Sequence, residues 1–187
     1  MALKALLIAN RGEIAVRIIR AAKELGVRTI QAYSTADKDS LPVHLADVAV
    51  EIGPPQASKS YLNMAAIIDA ARKTGADAIH PGYGFLAENA DFAQLVEKSG
   101  LIFVGPHSNS IRLLGNKLAA RRIAKEAGVP TVPGSEGALE STADARFVVK
   151  RTGFPVMVKA AGGGGGRGIR LAHSIEELER LIPQARA

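Results

Sequence analysis

At 187 residues the chain is long enough for one domain, or for one domain and part of another, and its 47% hydrophobic content supports a buried core. Cysteine is absent, which excludes disulfides and thiolate metal sites, and no apolar run suits a signal-peptide core or a membrane span. We therefore expect an unexported, cytoplasmic protein with no membrane contact. The net charge of +6 is spread over predicted helices that interleave basic and acidic residues, which argues against nucleic acid as a partner.

The first predicted strand is the apolar run 3–9, which stops at Asn10-Arg11-Gly12. From Glu13 the apolar residues follow a helical period that ends at Gly26, and 28–33 is predicted as the second strand. Such a βαβ unit places two parallel strands side by side. The loop after the first strand lies where open α/β sheets place functional residues. A plain turn, with Glu13 favourable in the first turn of the helix, is the alternative interpretation.

Strands and helices continue to alternate as far as residue 115. Further strands are predicted over 48–52, 77–80 and 101–104, and further helices over 61–73, 90–98 and 108–114. Five strands with helices between them predict an α/β, Rossmann-like domain built on a doubly wound parallel sheet. The first turn lacks the GxGxxG pattern, so a nicotinamide or flavin site there has little support.

A second candidate loop, HPGYGFLAEN at 80–89, follows the fourth predicted strand. It combines two glycines with His80, Tyr83 and Glu88, and ligand contacts concentrate in loops at strand ends. The alternative is structural, since a lone His or Glu in a loop is more often a structural residue than a catalytic one.

Beyond residue 115 the regular alternation breaks. Helices are predicted over 117–127 and 144–151, and two short strands over 155–159 and 168–172. The four basic residues Lys117, Arg121, Arg122 and Lys125 form a local cluster on the first of these helices. We expect a boundary near residue 115, followed by only part of a second domain.

A glycine run separates the two short strands, comprising Gly162, Gly163, Gly164, Gly165, Gly166 and, after Arg167, Gly168. Six glycines in ordered structure would cost about 3 to 6 kcal/mol of stability relative to alanine. If the run is ordered, some interaction should offset this cost. The run does not fit GxxxxGK[ST], and it joins two strands where a dinucleotide fingerprint would open a helix. With Lys159 before it, the run is typical of a flap whose backbone N–H groups approach phosphates. A mobile surface loop or linker is the alternative.

Several stretches in order, IANRGEIAVRIIRAAKELG, HPGYGFLAEN, FVGP, GNKLAARRIAKEAGVPTVPG and PVMVKAAGGGGGRGIR, together resemble the biotin carboxylase family of the ATP-grasp superfamily. The resemblance spans essentially the whole chain. It implies three regions: an N-terminal doubly wound (pre-ATP-grasp) domain over 1–115, a hinge helix and the start of the ATP-grasp fold over 116–135, and a partial ATP-grasp lid with the glycine flap over 136–187.

The resemblance also implies an activity. Family members are ATP-dependent carbon–nitrogen ligases that use MgATP and bicarbonate to make carboxyphosphate and then carboxylate biotin on a carrier domain. They work with a carboxyltransferase subunit or domain in acyl-CoA carboxylases, including those of fatty acid metabolism, or in pyruvate carboxylase, as homodimers or larger complexes. The implied partners are thus bicarbonate, the biotin carboxyl carrier domain and the carboxyltransferase, with neither nucleic acid nor membrane.

The resemblance implies roles for particular residues. Lys117 and Lys159 are implied to contact the ATP phosphates, and the glycines of the flap (Gly162–Gly166 and Gly168) to close over them. Tyr83 and Gly84 match the loop that faces the biotin pocket. Asn116 stands where the family commonly has aspartate. The magnesium-binding glutamates and the residues for bicarbonate belong to a later part of such enzymes, so no catalytic or metal-binding residue is expected here and the chain alone is expected to be inactive.

Two other interpretations are left open. The chain is also compatible with another ATP-grasp ligase, such as a relative of carbamoyl-phosphate synthetase, because phosphorylation of bicarbonate is shared chemistry. From a different class, it is compatible with a basic nucleotide- or nucleic-acid-binding module without catalysis, whose binding would weaken steeply with salt.

Overall fold

The computed structural model describes residues 3–135, 137, 139, 141–159 and 169–186. The chain divides into two compact units, Met1–Leu113 and Leu114–Ala187. Each unit has its own hydrophobic core. Within the described residues, no helix combines the length and the apolar character needed to cross a bilayer.

The first unit is built on a five-stranded sheet in which each strand runs parallel to its neighbours. The strands lie in the spatial order β3-β2-β1-β4-β5 and comprise β1 (Ala5–Ile8), β2 (Arg28–Ser34), β3 (Val48–Gly53), β4 (Ala78–His80) and β5 (Ile102–Phe103). The α/β sheet predicted from the sequence is therefore confirmed, with β1 at its centre.

Helices cover both faces of this sheet, because successive side chains of a strand point to opposite faces. Leu6 and Ile8 of β1 pack in the core that includes Ile18 and Ile19 of the first helix, while Leu7 packs in the opposite core with Ile67. The helices of this unit are α1 (Gly12–Glu24), α2 (Leu41–Leu45), α3 (Met64–Thr74), α4 (Ala90–Lys98) and α5 (Ser108–Gly115), whose last residues extend into the second unit. This is the doubly wound arrangement.

Two of these helices begin at asparagine caps. The side-chain oxygen of Asn63 accepts a hydrogen bond from the amide of Ala66, and that of Asn89 accepts one from Phe92. Because Asn63 is the cap, α3 begins three residues later than predicted. Tyr61 is consequently buried in the preceding turn instead of lying in the helix.

Two aspartates bind the amino-terminal side of the sheet. Asp77 accepts hydrogen bonds from the amides of Lys4 and Ala5, at 2.9 and 3.1 Å. Asp47 accepts from the amide and the hydroxyl of Thr29, both at 2.8 Å, and Lys23 lies 3.0 Å away. These bonds, those from Thr29 foremost, lower the pKa of Asp47 to about 2.

The second unit contains a two-stranded antiparallel sheet covered by helices. Its elements are α6 (Lys117–Glu126), α7 (Thr142–Thr152), β6 (Val156–Val158), β7 (Arg170–Ala172) and α8 (Ile175–Arg186). Val156 and Val158 contribute to the core, with Ala145 and Val149 of α7 and with Leu178 of α8. The two strands expected on either side of the glycine run thus pair with each other.

Candidate functional site

The connection order of the sheet reverses between β1 and β4, which is where the crevice of an open α/β sheet is expected. The chain leaves β1 towards β2 and β3 on one side, and returns to β4 and β5 on the other. Open α/β sheets bind ligands at such a point, beyond the carboxyl ends of the two strands. The residues that follow β1 and β4 are the two loops selected from the sequence, 10–13 and 80–89, and the structure brings them together.

Asn10 joins the two loops. Its side-chain nitrogen donates hydrogen bonds to the carbonyl oxygens of Pro81 and Tyr83, at 2.7 and 2.8 Å, and its side-chain oxygen accepts from the amide of Arg11 at 2.8 Å. Only 3% of Asn10 is exposed. At Gly82, where φ is +66°, a Cβ would lie 2.7 Å from the nitrogen of that amide, so this contact requires glycine.

Tyr83 lies in the loop that follows β4. Its hydroxyl donates a hydrogen bond to the carboxylate of Glu13, and this bond is the main reason that the pKa of Tyr83 is raised. The residue is 59% exposed, so its ring remains available to a ligand. Gly84 follows with a φ of +67°, a conformation that favours glycine. The hydrogen bond from Tyr83 to Glu13 also links the 80–89 loop to the first turn of α1.

His80, another titratable residue of this loop, contacts the backbone of the loop itself. Its Nδ1 atom accepts a hydrogen bond from the amide of Gly82 at 3.0 Å. Burial lowers the pKa of His80, so the imidazole is neutral at physiological pH. The contact with Gly82 favours the structural interpretation given for a lone histidine.

A second group of contacts fixes the far end of the loop. The guanidinium of Arg11 lies 5.9 and 6.0 Å from the ring centroids of Tyr61 and Phe85, which are stacked on each other at 5.0 Å. Asp37 lies 3.5 Å from Arg11 and accepts hydrogen bonds from the hydroxyls of Tyr61 (2.8 Å) and Ser34 (2.6 Å). The pKa of Tyr61 is raised to about 12, mainly by burial, so its hydroxyl remains a donor.

Lys159 directly follows β6 in the second unit. Its side chain is exposed and has no ion-pair or hydrogen-bond partner within the described part of the chain. Met157, two residues earlier, stands opposite Leu171 on β7, and these two residues are 62% and 50% exposed. Because side chains two apart on a strand share a face, a cation and an apolar pair occupy the outward face of this hairpin.

The remaining predicted site residues are only partly described. Lys117 is the first residue of α6, whose cap Asn116 accepts hydrogen bonds from the amides of Leu118 and Ala119. Asn116 thus caps the helix, as an aspartate at the same position could. The side chain of Lys117 and the glycines Gly162–Gly166 and Gly168 lie outside the described residues. Tyr83 and Gly84 belong to the first unit, and Lys117 and Lys159 to the second.

The basic cluster of α6 borders a cavity of about 570 Å³ in the second unit. Arg121, Arg122 and Lys125 line it from α6, and Arg151 from α7. Arg121 is held by a hydrogen bond of 2.6 Å to the carbonyl oxygen of Val132. These cations surround a concave space, whereas a nucleic-acid-binding surface typically presents a continuous basic stripe.

Sequence reasoning did not identify Asn10 as the link between the loops, nor Asp37 and Tyr61 as supports. The partners of Asn10 are 71 and 73 positions away in the sequence. No local pattern encodes such pairs. The available signal was Gly82 in HPGYG, since a glycine inside a loop can indicate that another group approaches the backbone closely.

Comparison with known proteins covers both units. Residues 2–111 match the family described as "Biotin carboxylase, N-terminal domain", and residues 116–187 match "Carbamoyl-phosphate synthase L chain, ATP binding domain". The biotin carboxylase of Haemophilus influenzae is 55% identical over 186 residues, which are 99% of this chain and 42% of that protein. The biotin carboxylase 1 of Bacillus subtilis is 56% identical over 176 residues, or 94% of this chain and 39% of that protein.

Solved structures agree with these matches. A biotin carboxylase from Campylobacter jejuni, in a complex named beta-gamma-ATP, superposes with a TM-score of 0.90 at 46% identity, covering 98% of this chain and 41% of that one. The biotin carboxylase domain dimer of Hydrogenobacter thermophilus 2-oxoglutarate carboxylase, with MgADP, ADP and bicarbonate, gives 0.88 at 49% identity, covering 99% and 41%. The chain therefore spans about two fifths of the length of these relatives.

Proposed function

This chain belongs to the biotin carboxylase family, and we propose that it forms the N-terminal portion of an ATP-dependent carbon–nitrogen ligase that carboxylates biotin on a carrier domain. Bicarbonate supplies the carbon and carboxyphosphate is the intermediate. The observation that carries this proposal is the agreement of sequence and fold with biotin carboxylases over both units.

The proposal includes a division of the chain into three regions. Residues 1–115 form the doubly wound N-terminal domain, 116–135 the hinge and the start of the ATP-grasp fold, and 136–187 part of the lid. The two family matches, to 2–111 and 116–187, support a change near residue 115. The separation of the contacts into units that meet at Leu113 and Leu114 supports the same boundary.

The second unit contributes to ATP binding in this proposal. Lys117 and Lys159 contact the phosphates, and the flap of Gly162–Gly166 with Gly168 closes over them. The exposed cation of Lys159 supports this role, and a hydrogen bond from lysine to phosphate contributes about 1.5 to 3 kcal/mol. The Met157–Leu171 pair beside it offers apolar surface to an uncharged part of the same ligand.

The first unit contributes the crevice between β1 and β4. Tyr83 and Gly84 face the biotin pocket in this proposal. The exposed ring of Tyr83 and its fixed backbone support the assignment, since a binding loop benefits from being ordered before its ligand arrives.

Magnesium accompanies ATP in the proposal, and the resemblance assigns its ligands to a later part of such enzymes. Among the described residues, no group of three or more His, Asp or Glu side chains is arranged to hold a metal ion. The proposal therefore gives no metal-binding role to the described residues. The MgADP bound to the Hydrogenobacter thermophilus domain supports magnesium as the accompanying ion.

The proposed partners are bicarbonate, a biotin carboxyl carrier domain and a carboxyltransferase subunit or domain, within an acyl-CoA carboxylase or a related enzyme. The dimeric, bicarbonate-bound relative supports both bicarbonate and a homodimer. Relatives named as the alpha subunit of methylcrotonoyl-CoA carboxylase and as part of a single-chain bacterial carboxylase support the wider assembly. A cytoplasmic location completes the proposal, and the absence of cysteine is compatible with it.

The test is a chimaera in which this chain replaces the matched segment of the Haemophilus influenzae biotin carboxylase. We expect ATP cleavage that depends on both bicarbonate and free biotin. In the same chimaera, Lys159→Ala should raise the KM for ATP or lower kcat by about tenfold or more, because a charged contact with phosphate is lost. Lys150→Ala is the matched control, since it removes an exposed lysine of α7 in the same unit.

Bicarbonate-independent turnover by the chimaera would contradict the proposed reaction. Equal kinetics for Lys159→Ala and Lys150→Ala would contradict only the role given to Lys159 and would leave the proposed reaction standing.

The match of residues 116–187 to the carbamoyl-phosphate synthase L chain favours one alternative, an ATP-grasp ligase that carboxylates no biotin. Turnover that needs bicarbonate and ammonia, and does not respond to biotin, would support that alternative.

A further inference from the structure

The amide of Asn10 uses both of its donor hydrogens on one short stretch of the opposite loop. The two acceptors are the carbonyl oxygens of Pro81 and Tyr83, which flank Gly82. A primary amide has two N–H donors, so neither hydrogen is left for another partner. The backbone of three consecutive residues is thereby attached to a single side chain.

The orientation of this amide follows from its surroundings. Its nitrogen faces two carbonyl oxygens, and its oxygen faces the amide N–H of Arg11. The reverse orientation would place an oxygen against two oxygens and an NH2 group against an N–H donor. The bonds described here are therefore the only satisfactory set for this side chain.

Asn10 is itself held from the neighbouring strand. The side-chain nitrogen of Gln31 on β2 donates a hydrogen bond of 2.7 Å to the carbonyl oxygen of Asn10. Gln31 is 1% exposed, so this contact is deep in the sheet. Asn10 therefore has a fixed position, which it passes on to the loop that contains Tyr83.

Tyr83 is attached to the 10–13 loop at both of its ends. Its carbonyl oxygen is bound by Asn10, and its hydroxyl is bound by Glu13. From this geometry we infer that Asn10 is a positioning residue that holds the 80–89 loop in one conformation and presents the ring of Tyr83 beyond the carboxyl ends of β1 and β4. The inference deepens the proposed function and rests on it only for the identity of the ligand that Tyr83 would contact.

The sharpest test is Asn10→Asp in this chain. The substitution keeps the shape and the acceptor for Arg11, but it places a second oxygen where the NH2 group faces two carbonyl oxygens. At neutral pH we expect the amides of Gly82 and Ala87 to exchange with solvent about tenfold faster or more than in the unsubstituted chain. The amides of β4 should keep their protection, because the sheet is unaffected.

Acidification distinguishes a donor role from simple packing. When the introduced carboxyl group is protonated it regains one O–H donor, so the exchange ratio of variant to unsubstituted chain at Ala87 should fall again at low pH. Ala87 is the reporter in acid because its amide bonds to the carbonyl oxygen of Gly84, whereas the amide of Gly82 bonds to the imidazole of His80, which itself takes up a proton. A residue that merely filled space would show no such recovery. Asn63→Asp is the matched control, because the oxygen of that cap is the working atom and aspartate caps equally well.

Unchanged exchange at Gly82 and Ala87 in Asn10→Asp at neutral pH would overturn the inference, and so would faster exchange at Ala87 that persists at low pH. If the variant lost protection in β4 as well, Gly82→Ala would replace it, because its Cβ opposes the same amide from the loop side. Gly82→Ala should then loosen the loop alone, and an unaltered loop in that variant would overturn the inference.

A second measurement separates this inference from the proposed function. In the chimaera, Asn10→Asp should raise the KM for biotin by about tenfold while the KM for ATP stays the same. A loosened loop with an unchanged KM for biotin would contradict the biotin contact proposed for Tyr83 and would leave the positioning role supported by the exchange data.

Discussion

Asp47 shows how one carboxylate stabilises the amino-terminal side of the sheet. Its pKa is lowered from 3.8 to about 2, chiefly by the hydrogen bonds from Thr29. A carboxylate with a lowered pKa in the folded state contributes stability above its unfolded pKa, and this contribution is lost as the pH falls through the folded value. The contribution of Asp47 is therefore complete near neutral pH and disappears between about pH 4 and pH 2.

We predict that Asp47→Asn lowers the Tm of the first unit at pH 7 by about 3 to 6 °C, because the charged acceptor is lost. The difference from the unsubstituted chain should narrow as the pH approaches 2. Thermal unfolding at several pH values measures this. Asp69→Asn is the control, since Asp69 is exposed on α3 and forms no hydrogen bond or ion pair within the described residues. An equal effect of the two substitutions would refute the prediction.

Glu13 controls the ionisation of Tyr83. Because the hydrogen bond to Glu13 is the first cause of the raised pKa of Tyr83, Glu13→Gln should lower that pKa towards the ordinary value for tyrosine. The pKa can be measured from the ultraviolet difference spectrum between each protein and its Tyr83→Phe counterpart over a pH titration. Glu88→Gln, in the same loop, should leave it unchanged. A pKa that does not move in Glu13→Gln would show that the hydroxyl has another partner in solution.

At the scale of residues, the sequence indicated where the site lies but not how it is held. The 10–13 and 80–89 loops were selected because each follows a predicted strand. The hydrogen bond from Asn10 to Pro81 forms because β1 and β4 are neighbours in the sheet, and this pairing is part of the tertiary structure. Local patterns carry no information about such a pairing.

At the scale of elements, local signals predicted the strongly periodic segments well. Helix α4 has the predicted bounds, because its apolar spacing and its cap agree. Helix α2 was not predicted, since five residues are too few to show a helical period. Strand β5 is shorter than the apolar run that suggested it, because only Ile102 and Phe103 pair with β4.

Helix α7 begins with a capping box, in which Ser141 accepts from the amide of Asp144 and the side chain of Asp144 accepts from the amide of Ser141. We predict that Ser141→Ala destabilises the second unit by about 1 kcal/mol. Chemical denaturation, with amide hydrogen exchange as the readout, measures this change. The amides of α7 should lose protection, whereas those of α1 in the first unit should keep it. Thr142→Ala, one residue further on, is the control, and an equal effect of the two would contradict the capping role.

At the scale of the whole molecule, alternation predicted a parallel, doubly wound sheet but not its strand order. The order β3-β2-β1-β4-β5 depends on whether the fourth strand joins the free edge of β1 or the free edge of β3. Either edge satisfies the same apolar pattern, so the sequence periodicity leaves the choice open. The location of the crevice depends on that choice, because β1 and β4 are neighbours only in the observed order.

The central position of β1 has a consequence for the order of folding. Strands β1, β2 and β3 pair within the first 53 residues, whereas β1 meets β4 only through residues about 70 positions further along the chain. Closing a long loop has an entropic cost that delays such pairing. We therefore expect the half-sheet of β1 to β3 to form first as the chain is synthesised, leaving Asn10 without its carbonyl partners. Completion of the crevice would then be a late event, and a ligand that binds there would select chains whose first unit is fully folded.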